Sequence, residues 1–331
     1  MTPRGPARGL VAAALILPAL LAAPDARRAA DPLPGPVSPW PPGLTGTLVF
    51  ESDVAGRPGL YTLDLAQGRV ARLTGAPDHR EQTPRWSPDG RRVLFTSNRA
   101  HYTGARPDTG TPDFDVWSIA ADGSDPRRLT SAPANEQDAA WTADGASVVY
   151  SSDGDSRGDL YRLELASGTV SRLTRHFVGR AIMPSPAPAA PWRVAFAAQS
   201  LRAGAFWSYQ IHVLDASGRT PALASTIGGC WPRWSPDGAR LAHVRSGSGD
   251  TPSMIEIRAG DDLSASRVLG TPGVWHYYPA WSPDGSRLVL SMSPAHHEGE
   301  DWDLAILDVA TGRETRLTQG RGNDRLPDWR R

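Results

Sequence analysis

The chain is predicted to be an all-β, six-bladed β-propeller whose ring is closed by its own C-terminal segment. Three observations predict this. A Trp-Ser-Pro-Asp-Gly phrase recurs at RWSPDGRRVLF (Arg85–Phe95), RWSPDGARLAH (Arg233–His243) and AWSPDGSRLVL (Ala280–Leu290), with a looser copy at AWTADGASVVY (Ala140–Tyr150). A hydrophobic run recurs at Leu60–Asp64, Val116–Ala120, Leu160–Glu164, Ile211–Asp215, Ile255–Ala259 and Leu304–Asp308, which makes six copies. An Arg-Leu-Thr ending follows at Leu73, Leu129, Leu173 and Leu317, with weaker equivalents near Leu223 and Leu269.

Residues 1–30 read as a secretory signal rather than as fold. Arg4 and Arg8 precede LVAAALILPALLAA (Leu10–Ala23), an apolar run of 14 residues that is short for a membrane span and is followed by small residues. Residues 31–45 form a proline-rich leader; DPLPGPVSPWPPG (Asp31–Gly43) carries six prolines in 13 residues, a composition that favours an extended, unpacked tether. The propeller is expected over 46–331.

Within it, the tryptophans of the repeat serve as a ruler: Trp86, Trp141, Trp234, Trp281 and Trp329 are spaced by 55, 93, 47 and 48 residues. The 93-residue gap hides one degenerate unit. Aligning RVAF (Arg193–Phe196) with RVLF (Arg92–Phe95) puts Ala187 in the tryptophan's place and Pro-Ala-Ala-Pro in place of the Ser-Pro-Asp-Gly turn. Each unit holds four strand-like pieces, as in PAW, RLVLSM, DLAILD and ETRLT of the sixth. Ser-Pro-Asp-Gly is the tight turn between the first two strands: proline pre-sets φ, aspartate bonds locally and glycine permits a positive φ. The tryptophan before it is a flat wedge for the seam between blades. GNDRLPDWRR (Gly322–Arg331) opens a unit that nothing completes, while LVFES (Leu48–Ser52) is a second strand lacking its first. Joining them gives blade one and removes an exposed sheet edge.

The units PRWSPDGRRVLFTSNR…DVWSIAADGSDPRRLT and PAWSPDGSRLVLSM…DWDLAILDVATGRETRLT resemble the repeats of the TolB family of β-propellers, over about residues 46–331. The resemblance implies a six-bladed propeller of the bacterial envelope that binds other proteins. TolB carries an α/β domain before its propeller, where this sequence has only the proline-rich leader. Family propellers that sit beside peptidase domains need a Gly-X-Ser-X-Gly elbow, which is absent here.

Composition excludes several chemistries. All 35 basic residues are arginine, so no lysine is present for a Schiff base or a phosphate loop. Net charge is zero, which leaves no basic footprint for nucleic acid. Cys230 stands alone and reads as a small buried residue, with no intramolecular disulfide. Beyond the signal no apolar run is long enough to span a membrane; a monomer is expected, with no cofactor other than the divalent cation considered at the channel mouth. DGDSRGD (Asp153–Asp159) reads as a turn.

Function is therefore sought at the mouth of the channel, on residues just before each tryptophan. Five positions before it stand Glu81, Glu136, Ile182, Gly229, His276 and Asp324; at the next position stand Gln82, Gln137, Met183, Cys230, Tyr277 and Arg325. Half of the mouth is expected to be polar and acidic, balanced by Arg325, and half apolar. Glu81, Glu136, His276 and Asp324, on adjacent blades, are candidates for binding a cationic group or a divalent cation, or for acid/base work. Two long loops are expected on the same face, at Ala100–Asp115 and Ser293–Asp303, and offer Tyr102, Arg106, His296, His297 and Trp302 as contact residues. The preferred reading is an exported, periplasmic or secreted scaffold that binds an envelope protein, peptide or glycan. The alternative is a carbohydrate-active or lactonase-type propeller enzyme using the Glu/His/Asp arc, with or without a divalent metal.

Overall fold

The computed structural model describes residues 32–75, 79–100, 113–154, 158–202, 205–219, 228–247, 251–260, 262–295, 301–320 and 322–331. The signal segment, and the loop positions Tyr102, Arg106, His296 and His297, lie outside the described residues. Pro32–Arg331 form one compact unit that is all strand and turn among the described residues.

Six antiparallel sheets carry the six repeats. Blade two runs Glu81–Trp86, Arg92–Ser97, Asp115–Ala120 and Arg127–Arg128, from axis to rim. Blade three runs Glu136–Trp141, Ser147–Ser152, Asp159–Glu164 and Val170–Arg172. Blade four shows three described strands, Gly179–Pro186, Arg193–Arg202 and Ala205–Asp215. Blade five is Gly229–Trp234, Arg240–Arg245, Met254–Ala259 and Ala265–Leu269, and blade six is Trp275–Trp281, Arg287–Ser293, Asp303–Asp308 and Glu314–Arg316. Each innermost strand touches the innermost strands of both neighbours, so the inner strands close a ring around the axis.

Blade one is assembled from both ends of the chain, as the sequence implies. Asp324–Arg330 is its inner strand and pairs with Thr47–Ser52, which continues to Gly59–Asp64 and Arg69–Arg72. The register sets Leu48 against Trp329 and Ser52 against Asp324. Trp329 buries its ring and donates Nε1–H to the Thr45 carbonyl (3.2 Å), while Asn323 donates its amide and Nδ2–H to the Asp53 carboxylate (2.7 and 2.8 Å).

The repeated turn behaves as read. In blade two, Ser87 Oγ donates to Asp89 (2.6 Å) and accepts from the Arg92 amide (2.9 Å), and Gly90 holds φ at 67°. Blades three, five and six repeat this with Thr142/Asp144, Ser235/Asp237 and Ser282/Asp284. Hydrogen bonds from Ser282 and from the Ser286 amide pull the Asp284 carboxyl down to about 2. The tryptophan wedges lie in the seams, and on three of the five an arginine of the preceding blade stacks: Arg330 over Trp86 (3.9 Å), Arg193 over Trp234 (4.5 Å) and Arg240 over Trp281 (4.5 Å).

Two expectations need correction. The leader is not an unpacked tether: Gly35–Pro36 pairs antiparallel with Thr318–Gln319, Trp40 donates Nε1–H to the Leu65 carbonyl (2.9 Å), and Leu44 is buried. Its apolar side chains and extended backbone suit it to adding an edge strand, which composition alone hides. In blade four the alignment shifts by one residue. The bulge between Ile182 and Ser185, with Met183 at φ 56°, matches that between Gln82 and Arg85, so Pro186 takes the tryptophan's place and Ala181, not Ile182, corresponds to Glu81.

Trp329→Ala should cost about 3–5 kcal/mol, as for other buried aromatic truncations. Deleting Leu326–Arg331 should lower the melting temperature by at least on the order of 10 °C. Chemical and thermal unfolding check both; an unchanged melting temperature for the deletion refutes ring closure by the tail.

Candidate functional site: the central channel

Every inner strand contains a β-bulge at the same place, three residues before the tryptophan position. The bulged residues are Thr83, Asp138, Met183, Trp231, Tyr278 and Leu326, and all six have left-handed backbone with φ of 53–57°. Holding such residues there costs of order 1–3 kcal/mol each, so the ring must over-determine them. The extra residue breaks the alternation of the strand and decides which side chains face the axis.

The residues around the axis divide by chemistry. Blades one to three supply Arg325, Gln82, Thr83, Arg85, Gln137 and Asp138, with Glu51 and Asp328 behind them. Arg325 pairs with Glu51 (3.5 Å), which also accepts from the Thr83 amide (3.3 Å). Asp328 accepts from the Trp86 amide (2.7 Å), and Arg85 lies in the field of Asp328, Asp138 and Glu51 together. Burial outweighs these partners and lifts the Glu51, Asp138 and Asp328 carboxyls each to about 6.

Blades four to six supply an aromatic wall. Trp231 meets Tyr278 edge-on (5.0 Å between centroids), Tyr277 lies 5.5 Å from Tyr278, and Trp302 meets Tyr277 edge-on (5.5 Å). Trp231, Tyr277 and Tyr278 stay partly exposed, with Met183 beside them in the ring. Cys230 is buried, as expected, and burial pushes its thiol up to about 12. Trp302, expected as an exposed loop contact, is instead buried (2 % exposed) against Tyr277 and Tyr278, because the wall gives it more apolar contact than solvent would. Where the Ser-Pro-Asp-Gly turns gather, the channel opens into a cavity of about 310 Å³ ringed by Arg85, Ala140, Ser185, Arg233, Ala280 and Asp328.

The proposed acidic arc is placed differently. Glu81, Glu136, His276 and Asp324 are all buried, and they turn into the seams between blades. Glu81 takes hydrogen bonds from His79 and from Thr74, the Arg-Leu-Thr threonine of blade one, and pairs with Arg99; against the upward push of burial these hold its carboxyl below the usual range. Glu136 takes the equivalent bond from Thr130 of blade two, and Asp324 from Ser52 and from Thr318 of blade six. His276 Nε2 meets Glu314 at 2.9 Å. No group of three His, Cys, Asp or Glu side chains suited to a metal occurs among the described residues. Gln82, Gln137, Tyr277 and Arg325, at the position after the acids, are each partly exposed.

The fold and channel together define a six-bladed propeller of TolB-like architecture. TolB from Acinetobacter baumannii superposes with a TM-score of 0.68 at 20% identity, over 86% of this chain and 66% of that one. A putative TolB from Agrobacterium tumefaciens gives 0.61 at 17% identity, over 87% of this chain and all of that one. An uncharacterised protein, Atu1656 of Agrobacterium fabrum, is 26% identical over 213 residues, 54% of this chain and 70% of its own. No family model matches the sequence. These likenesses fix the fold; the chain spans just under two thirds of the Acinetobacter TolB.

The raised carboxyls set a pH dependence. Glu51, Asp138, Asp303 and Asp328 stand near 6 and Asp324 near 7, all lifted chiefly by burial. Between about pH 4 and pH 7 the folded chain holds protons that the unfolded chain has released, so their contribution is full below about pH 4 and is lost as pH rises. His243, held below its usual value by burial, works the other way. The melting temperature should therefore be higher at pH 5 than at pH 7.5, and Asp324→Asn should narrow that difference. A higher melting temperature at pH 7.5 contradicts the assignment.

Proposed function

We propose that this protein is an exported binding scaffold that receives a segment of an envelope protein or peptide at the aromatic half of its channel. The observation that carries the reading is the wall of Trp231, Tyr277 and Tyr278: three partly exposed aromatic rings side by side on a rigid ring, facing buried carboxyls and Arg325. Exposed aromatics held on stiff backbone are the residues that dominate binding energy at interfaces. An extended segment with an apolar anchor and a polar or basic neighbour matches both halves. The TolB-like architecture supports a binding role by analogy of fold. Arg4, Arg8 and the apolar run Leu10–Ala23 support export, and no helix among the described residues is long and apolar enough to cross a membrane. An acid/base enzyme would need Glu81, Glu136, His276 and Asp324 to converge, and each is engaged in its own seam, so the binding reading is preferred.

The test is affinity capture from an envelope extract with wild-type chain and with Trp231→Ala/Tyr278→Ala, followed by titration of the captured partner in purified form. The double variant should bind at least about 30-fold more weakly while keeping its melting temperature, as a loss of 2 kcal/mol or more implies. Equal affinity for both proteins removes the aromatic wall as the site.

A further inference from the structure

The seam between blades two and three contains a groove of about 690 Å³, lined by Thr130, Glu136, Tyr150, Ser152, Gly154 and Tyr161 among others. The seam between blades one and two shows what such a groove is built to hold. The two blades share a register: Glu81 opposes Ser97 as Glu136 opposes Ser152, and Phe95 opposes Trp117 as Tyr150 opposes Tyr161. Two residues beyond the matched serines stand Arg99 in blade two and Gly154 in blade three.

In blade two Arg99 fills the seam. Its guanidinium pairs with Glu81 and lies 5.3 Å from the Phe95 ring and 4.8 Å from the Trp117 ring. Blade four uses an apolar plug and drops the acid: Ala181 replaces the glutamate, and Phe177 packs edge-on against Phe196 (5.5 Å) and His212 (5.1 Å). Blade three keeps the acid and both aromatic rings, which lie 5.8 Å apart, and at the position of Arg99 it has Gly154, which carries no side chain. Glu136 is 3 % exposed and its Oε2 makes no hydrogen bond. Burial raises its carboxyl above the usual value, against hydrogen bonds from Thr130 and the Ala132 amide and the charge of Arg128. Arg128, whose charge acts on Glu136, is committed to Asp115 (2.9 Å) and to the Thr130 carbonyl (2.9 Å); its counterpart Arg72 likewise donates to the Thr74 carbonyl while Arg99 still occupies the neighbouring seam.

We infer that the groove between blades two and three is a binding site for an alkylguanidinium group, the side chain of an arginine supplied by another molecule, with Glu136 as its counter-ion and Tyr150 and Tyr161 as its aromatic bed. Arg99 in its own seam is the internal template of the bound state. A planar cation over aromatic rings and against a desolvated carboxylate gains from both contacts. The site is separate from the channel and does not depend on the reading given there.

The experiment titrates the full mature chain with arginine methyl ester and with methylguanidinium, by calorimetry and by melting temperature, using methylammonium as the comparison cation. Wild type should bind both guanidinium compounds saturably and prefer them to methylammonium. Glu136→Gln should weaken binding at least tenfold. Gly154→Arg, which supplies the plug that blade two carries, should abolish binding and raise the melting temperature; the added Cβ would come within 3.2 Å of that of Ala134, a small adjustment. Absence of saturable binding by the wild type overturns the inference, as does equal binding by Glu136→Gln. Binding that appears only in Arg157→Ala also overturns it, since the groove would then belong to the chain's own arginine.

Discussion

The structure depends on what happens in the seam between adjacent blades. A four-stranded blade cannot bury both of its faces alone, so each tryptophan wedge is completed by a neighbouring repeat. In three seams that completion is an arginine of the preceding blade laid flat on the indole, at 3.9–4.5 Å. Arginine suits this task because its guanidinium is planar and weakly hydrated, while a lysine ammonium would keep its water. A chain whose basic residues are all arginine is matched to such seams. The Arg-Leu-Thr threonines add a second tie, bonding acids of the following blade at Glu81, Glu136 and Asp324.

The ring was legible in the sequence because its signals are local. Ser-Pro-Asp-Gly needs only its own four residues to form, and the tryptophan spacing counts the repeats. The half-blade at each end followed from the same count. The orientation of the inner-strand side chains was not legible. It is set by a bulge at Thr83, Asp138, Met183, Trp231, Tyr278 and Leu326, and no glycine or asparagine marks that left-handed position. One inserted residue exchanges the faces of a strand, so acids that alternation alone would put on the axis face the seams instead. Blade four slipped by one for a related reason, since it lacks both the tryptophan and the turn.

The candidate site shows the same division. That one half of the channel would be polar and the other apolar could be read from residue types at matched positions. That Trp302 joins the apolar half could not, because the loop before it has no repeat to align with and its burial comes from Tyr277 and Tyr278, far away in sequence. The guanidinium groove is legible only by comparing blades in three dimensions, where Arg99 and Gly154 fall at one place.

The leader has a mechanical consequence. Gly35–Pro36 is hydrogen-bonded to Thr318–Gln319, just beyond the last strand of blade six, and Trp40 is fixed to Leu65 of blade one, so this stretch spans the seam between the last blade and the closing one. A pull applied at the N-terminal end reaches these contacts first, and loads the short added strand before any strand of blade one. The chain can thus be held by its leader without drawing the closing blade apart.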